Sequence, residues 1–346
     1  MKLLLTHHTR YDYLPAVETA QHMAYLQPLQ TAQQQVLSHQ LDISPTPASL
    51  SRTTDVYGNS RCFFSLQTPH RVLDVVARSV VSTQASTMPR SSVSWEAARE
   101  LFRYRSDGQF DAASDFVFAS AFAPRDAEFA AYARPSFTAS RGLLAAATDL
   151  MHRMHADFIY ESQSTQVNTP ALQALAQRKG VCQDFAHILI ACLRSLGLPA
   201  RYVSGYLLTQ PAPGVARLRG SDASHAWAAI YVPDLPEGQR WCELDPTNDR
   251  IGWHSPGEDY VALATGRDFG DVSPMRGVIH GGASHTLTVG VTVEPVTGDR
   301  AYGERLQPGQ TQTQTQTQTQ SQSETQSQSQ SQSQSQSLDA TLNIAN

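Results

Sequence analysis

The sequence predicts an α+β protein: a strand-rich N-terminal region, a core in which helices precede strands, and an unstructured tail. Short apolar runs of strand length, separated by turn residues, occupy Leu3 to about Val81. A helix-period segment beginning at Val181 is followed by strand-like runs at 200–208, 224–232 and 241–246. From Gln310 to about Ser337 the chain alternates Thr-Gln and then Ser-Gln, with no apolar residue to offset the entropy of ordering. These features divide the chain into an antiparallel β-sandwich at 1–82, a partly helical connection at 83–140, a core at 141–300 and a disordered tail at 301–346.

Composition excludes several classes. With 346 residues there is enough chain for two domains with sizeable cores. A formal net charge of −5, with no basic run or aromatic-basic interleaving, argues against nucleic acid as a partner. The start, Met1 to His8, is apolar too briefly for a signal peptide, and no stretch approaches the roughly 20 apolar residues of a membrane helix. A cytoplasmic location and no membrane association are the expectation. The four cysteines, Cys62, Cys182, Cys192 and Cys242, are scattered without a CxxC pair, which fits neither a disulfide framework nor a zinc motif.

Within the first region, Leu41-Asp42-Ile43 and Arg71 to Ala77 read as strands, with turns at Pro45-Thr46-Pro47 and Tyr57-Gly58-Asn59. His7, His8 and His22 lack spaced acidic or cysteine partners and read as strand and surface histidines. Cys62 reads as a buried structural thiol. The chain turns Ser/Thr-rich at 82–94, then helical at Trp95 to Arg105, then Ala- and Phe-rich from Phe110 to Pro135. Arg141 to His155 forms a clearer helix, with Leu143, Leu144, Ala147, Leu150, Met151 and Met154 on one face. His152 and His155 are i,i+3 neighbours, read as a solvated edge rather than a metal pair.

Thr169-Pro170 supplies a helix start, and the short helix after it runs into a turn at Gly180. Next comes the stretch that organises the core, Arg178-Lys179-Gly180-Val181-Cys182-Gln183-Asp184-Phe185-Ala186-His187. Val181, Phe185, Ile188, Leu189, Leu193 and Leu196 make one buried helical stripe, ended by Gly197 and Pro199. Cys182 falls in the first turn, where unpaired N–H groups favour a thiolate. Cys192 and Cys242 are better read as packed thiols. His187, one turn after Cys182 on the same helix, is poorly placed to meet the thiol head-on. On the strand 224–232, period two puts His225, Trp227, Ala229 and Tyr231 on one face.

Cys182 at a helix start, His225 on one strand and Asp245 on a later strand supply the roles of nucleophilic acyl transfer. The imidazole takes the thiol proton, the carboxylate fixes the imidazole, and the thiolate attacks an amide carbonyl. The Cys182 backbone N–H would hold the oxyanion, with Gln183, Tyr160 and Trp227 as the candidate second donors or supporting neighbours. A zinc site on the same three residues is the alternative, though their spacing matches no compact motif.

Gly180-Val181-Cys182-Gln183-Asp184-Phe185-Ala186-His187, Pro199 to Tyr206, Ser224-His225-Ala226-Trp227 and Asp245-Pro246-Thr247-Asn248 together resemble the bacterial transglutaminase-like superfamily. Thr9 to Tyr13 and Asp55 to Asn59 resemble the β-sandwich that precedes this core in many bacterial members. The resemblance spans most of residues 1–295 and implies a papain-like transglutaminase core with Cys182, His225 and Asp245 as its triad. It implies a peptide or protein substrate, no metal and no cofactor; no acidic run of EF-hand type suggests calcium. Ala228-Ala229 stands where relatives often carry an acidic residue. Gly266 to Pro274 resembles a segment near the cleft, making Arg267, Asp268 and Asp271 candidate substrate contacts, with a self-bonded loop as the alternative. His280 and His285 read as cleft-lining residues of a Gly-rich loop. The superfamily also holds inactive members, so a scaffold or binding module is the competing function.

Overall fold

β1 (Lys2–Ala24) is the long strand on which the N-terminal region is assembled. Its alternation buries Leu3, Leu5, His7 and Thr9 on one face. β2 (Gln34–Ser44), β3 (Ser49–Thr54), β4 (Ser60–Leu66) and β5 (His70–Thr83) join it in the order β2-β5-β1-β4-β3. The first half of β1 pairs with β5, from Lys2↔Ser82 to Asp12↔Val72, and its second half pairs with β4. One strand thus serves two parts of a curled, antiparallel sheet. His7 and His22 are buried in it rather than at the surface, whereas His8 is half-exposed and hydrogen-bonded to Asp74 at 2.8 Å. Cys62 is buried, as its strand context implied.

This computed structural model describes residues 1–103, 110–161, 169–209, 224–282 and 284–296. The repetitive tail and the Pro211–Gly214 loop lie outside the described residues.

The segment read as a connection is packed into the core. α1 (Trp95–Leu101) and α2 (Ala127–Ala133) bury Trp95, Ala98, Phe129 and Ala133 against α3 (Leu143–Asp157) and its neighbours. β6 (Ile159–Tyr160) pairs in parallel with β7 (Lys179–Gly180) across α4 (Ala171–Gln177). α5 (Cys182–Ser195) follows directly. The sequence implied a single buried stripe for α5, but every residue from Asp184 to Arg194 is buried, so α5 is the central helix of the core.

Arg194 explains how a polar residue is tolerated there. Its guanidinium, fully buried, donates to the carbonyls of Phe116, Ala200 and Arg267 and to Ser120 Oγ. Burial lowers its pKa to about 10, still high enough to keep it charged at neutral pH.

α5 packs on an antiparallel sheet of β8 (Ala200–Leu207), β9 (Ser224–Tyr231), β10 (Trp241–Asp245), β11 (Arg250–Trp253) and β12 (Tyr260–Gly266), ordered β11-β10-β9-β8-β12. α6 (Phe269–Val272) is a single turn. β13 (Met275–Gly281) and β14 (Ser284–Pro295) then leave the core and pair with β1. The run at 286–293, expected at the end of the core, therefore belongs to the N-terminal sheet. His280 and His285 go with it: His280 pairs with Glu18, and His285 packs on Tyr11 and Tyr13, away from the cleft.

The two sheets meet through polar clamps as well as apolar packing. β12 is an edge strand, whose unpaired backbone groups need partners. Gln34 supplies one pair: its Nε2 donates to the Ala262 carbonyl and its Oε1 accepts from the Ala262 N–H, both at 2.8 Å. Asn59 does the same for Thr265, at 2.7 and 2.8 Å. His7 Nδ1 shares a 2.6 Å hydrogen bond with the Tyr206 hydroxyl of β8. Leu3, Leu5, Val81, Val291 and Val293 belong to the same apolar cluster as α5. No helix among the described residues is long and apolar enough to cross a membrane.

Candidate active site

The turn into α5 is built around Gly180. Asp184 reaches back from the first helical turn, and its Oδ2 accepts the Val181 N–H at 2.8 Å. A Cβ on residue 180 would lie 2.7 Å from that same oxygen, so the turn needs glycine. Cys182, half-buried and a free thiol, opens the helix. Its N–H lies in the first turn, where a helix has no internal acceptor to offer. Cys192 and Cys242 are fully buried, and burial pushes both thiols up, Cys242 to about 12.

Across the sheet, His225 lies opposite Gly205 in the β8–β9 ladder. A Cβ at 205 would come within 2.2 Å of the Val261 carbonyl oxygen and 2.5 Å of the Trp227 ring. Glycine there lets Trp227 lie under the site. The Trp227 Nε1–H donates to Glu243 Oε2 at 2.7 Å, and Arg201 pairs with the other Glu243 oxygen at 3.5 Å. Trp227 therefore supports the His225 strand; its only donor is spent on Glu243. Burial raises the Glu243 carboxyl, against the pull of Arg201 and Trp227.

His225 Nε2 and Asp245 Oδ2 are 2.7 Å apart. Cys182 acts on the same imidazole, its pull adding to that of Asp245. Burial alone would lower the His225 pKa, but the hydrogen bonds to Asp245 and Cys182 and their charges raise it to about 10. Asp245 has no solvent exposure. Burial works against its charge, yet hydrogen bonds from His225, Asn248 and Tyr260 hold its pKa below the ordinary value. Asn248 Nδ2 and the Tyr260 hydroxyl donate to Oδ2 at 2.8 and 2.7 Å, while the Thr247 N–H donates to Oδ1 at 2.9 Å.

α3 secures the turn after Asp245. His155 Nδ1 bonds the Pro246 carbonyl at 3.1 Å, and His152 bonds Asp249. Both histidines are solvent-exposed, as the helical spacing implied, and they also tether α3 to the turn after Asp245.

Of the other candidates, Tyr160 is exposed on β6 and lies close enough to feel the charges of Cys182 and Asp184. Gln183 is half-buried beside Cys182 on α5. Arg267, Asp268 and Asp271 have internal partners. Arg267 forms a two-point pair with Asp271 at 2.9 and 3.0 Å, and Asp268 caps α6 and accepts the Phe122 N–H. They form the self-bonded loop. His187 is buried between the Phe122 and Tyr202 rings, and burial lowers its pKa to about 3. It is a neutral packing group.

Two residues of the site went unread in the sequence. Asn248 stands within the Asp245–Asn248 run but was given no role there. Tyr260 carries no local signal, because only the sheet order brings β12 to Asp245. Among the described residues no cluster of three or more His, Cys, Asp or Glu is arranged to hold a metal ion.

A central helix opening on a cysteine, packed against an antiparallel sheet that presents a His–Asp pair, defines a papain-like α+β core. Residues 3–82 match the bacterial transglutaminase-like N-terminal region, and residues 130–246 match the transglutaminase-like superfamily. The chain is 38% identical over 301 residues to an "Uncharacterized protein" of Mycobacterium tuberculosis, covering 85% of this chain and 93% of that one. A second, from Mycobacterium leprae, is 30% identical over 295 residues, with coverage of 84% and 98%. Among solved structures, a "Putative Cysteine Protease" from Cytophaga hutchinsonii superposes with a TM-score of 0.62 at 20% identity, covering 88% of this chain and 94% of that one. The chain belongs to the bacterial transglutaminase-like superfamily.

Proposed function

We propose that this protein is a cysteine-dependent acyl-transfer enzyme acting on peptide or isopeptide amides. What supports the reading is the 2.7 Å His225–Asp245 pair together with the pull of Cys182 on the same imidazole. His225 takes the thiol proton, and the Cys182 sulfur attacks the amide carbonyl carbon. The Cys182 N–H at the α5 N-terminus donates to the oxyanion, with Gln183 or Tyr160 as the candidate second donor. As the tetrahedral adduct collapses, the imidazolium gives its proton to the departing amine, leaving a thioester on Cys182. Water or a second amine then attacks the thioester, with His225 as base, and the thiol is released. The raised His225 pKa suits the step in which it acts as acid. Asp245 stays charged throughout and steadies the imidazolium.

Cys182→Ala should abolish both peptide hydrolysis and amine incorporation while leaving the far-ultraviolet circular dichroism and melting temperature close to wild type. A variant that retains turnover would refute Cys182 as the nucleophile, whereas a wild type with neither activity would leave the scaffold role.

A further inference from the structure

Away from the Cys182 site, a cavity of about 160 Å³ opens where the N-terminal sheet curls back on itself. β2 and β3 are opposite ends of the β2-β5-β1-β4-β3 path, yet His39 of β2 and Arg52 of β3 line the same space. Arg61 and Cys62 of β4 join them, with the hydroxyls of Thr54 and Ser60. No aspartate or glutamate lines it.

Its charge is uncompensated. Elsewhere in this sheet Arg10 pairs with Asp12 and Asp74, and Arg78 pairs with Asp42. By contrast, Arg61 Nε donates only to the Thr53 hydroxyl at 2.8 Å, and among the described residues neither Arg52 nor Arg61 has a carboxylate partner. Arg52 acts on its neighbours. Burial first, and then the Arg52 charge, lower His39 to about 4; burial pushes the Cys62 thiol up while Arg52 pulls against it. His39 Nδ1 is engaged with Ser79 Oγ at 2.8 Å, which leaves Nε2 for the cavity. Two guanidiniums, a neutral imidazole and two hydroxyls outnumber what a carboxylate's two oxygens can accept. They suit a tetrahedral oxyanion carrying more charge.

We propose that this cavity binds a phosphate dianion, free or as a small monoester, with Arg52 and Arg61 supplying the charge and His39, Ser60 and Thr54 the neutral donors. The anion would replace the missing carboxylate and relieve the field that Arg52 imposes on His39. Binding therefore shifts the His39 resonance and raises its pKa.

The test is a titration of the full-length protein with inorganic phosphate, and separately with glycerol 3-phosphate, at constant ionic strength. The readout is the His39 Cε1–H resonance, assigned by its loss in His39→Gln. Saturable movement with either ligand, weakened about tenfold or more in Arg52→Gln/Arg61→Gln, supports the site. Whichever ligand binds more tightly identifies free phosphate or a monoester as the occupant. Arg52 is exposed on an edge strand, so Arg52→Gln alone provides a folded control if the double variant fails to fold. No saturable shift with either ligand, an equal shift with acetate or chloride, or full affinity in Arg52→Gln would overturn the proposal.

Discussion

Asp245 keeps its charge in a dry interior because its oxygens are shared among many donors. Oδ2 faces His225, Asn248 and Tyr260, and Oδ1 takes the N–H groups of Thr247 and Asn248. A hydrogen bond to a charged group contributes about 1.5–3 kcal/mol net. Tyr260→Phe removes one such donor without changing the ring's packing. Steady-state kinetics should show kcat falling roughly 10-fold or more with KM near wild type, because Tyr260 acts through Asp245 rather than on substrate. An unchanged kcat would show that Tyr260 has no positioning role. Cys182 and His225 stand out in the sequence as candidate site residues because each lies in a short local pattern. Tyr260 does not: fifteen residues, and the crossing from β11 at one edge of the sheet to β12 at the other, separate it from Asp245.

At the scale of elements, the edge of β12 is closed by side chains. Gln34 and Asn59 each present an amide that donates and accepts like one residue of a neighbouring strand. Asn59→Leu would strand the buried N–H and carbonyl of Thr265, at a cost of about 3 kcal/mol or more. The urea midpoint should fall accordingly; a loss below about 1 kcal/mol would mean that the clamp is replaced by water or contributes little. Sequence patterning identified the turn Tyr57-Gly58-Asn59 but not this use of Asn59. Its partner is 206 residues away. α5 was legible as a helix with a glycine stop, since Gly197 closes it at φ +82°. Its burial on all sides was not, because His187 and Arg194 read as polar until Tyr202, Phe122 and three carbonyls surround them.

Over the whole molecule, buried histidines set how stability responds to pH. His7 and His22 have folded pKa values near 4 and His187 near 3, each lowered mainly by burial. Unfolded, they would take protons near 6.5, so the unfolded state binds more protons below that pH. Each then removes about 1.4 kcal/mol of stability per pH unit until its folded pKa is reached. His225 acts in the opposite sense. Its folded pKa near 10 gives stability that is fully present below about 6.5 and is lost as pH rises toward 10. The melting temperature should therefore peak near neutrality and fall on both sides; a monotonic profile from pH 4.5 to 9 would contradict this balance. The order of strands and helices, and the N-terminal strand-rich region ahead of the core, were legible from periodicity and turns. The return of β13 and β14 to β1 was not, since strand pairing across more than 250 residues leaves no local signature.

The account rests on a working thiol–imidazole pair, and alkylation of Cys182 measures it directly. Intact-mass labelling with iodoacetamide from pH 5 to 9 compares the wild type with His225→Ala, with Cys62, Cys192 and Cys242 as buried internal references. Selective labelling of Cys182 is expected, about tenfold or more faster in the wild type than in His225→Ala at pH 6 to 7. Equal rates in the two proteins, or a Cys182 that reacts no faster than an unactivated thiol, would contradict the pair and with it the enzyme.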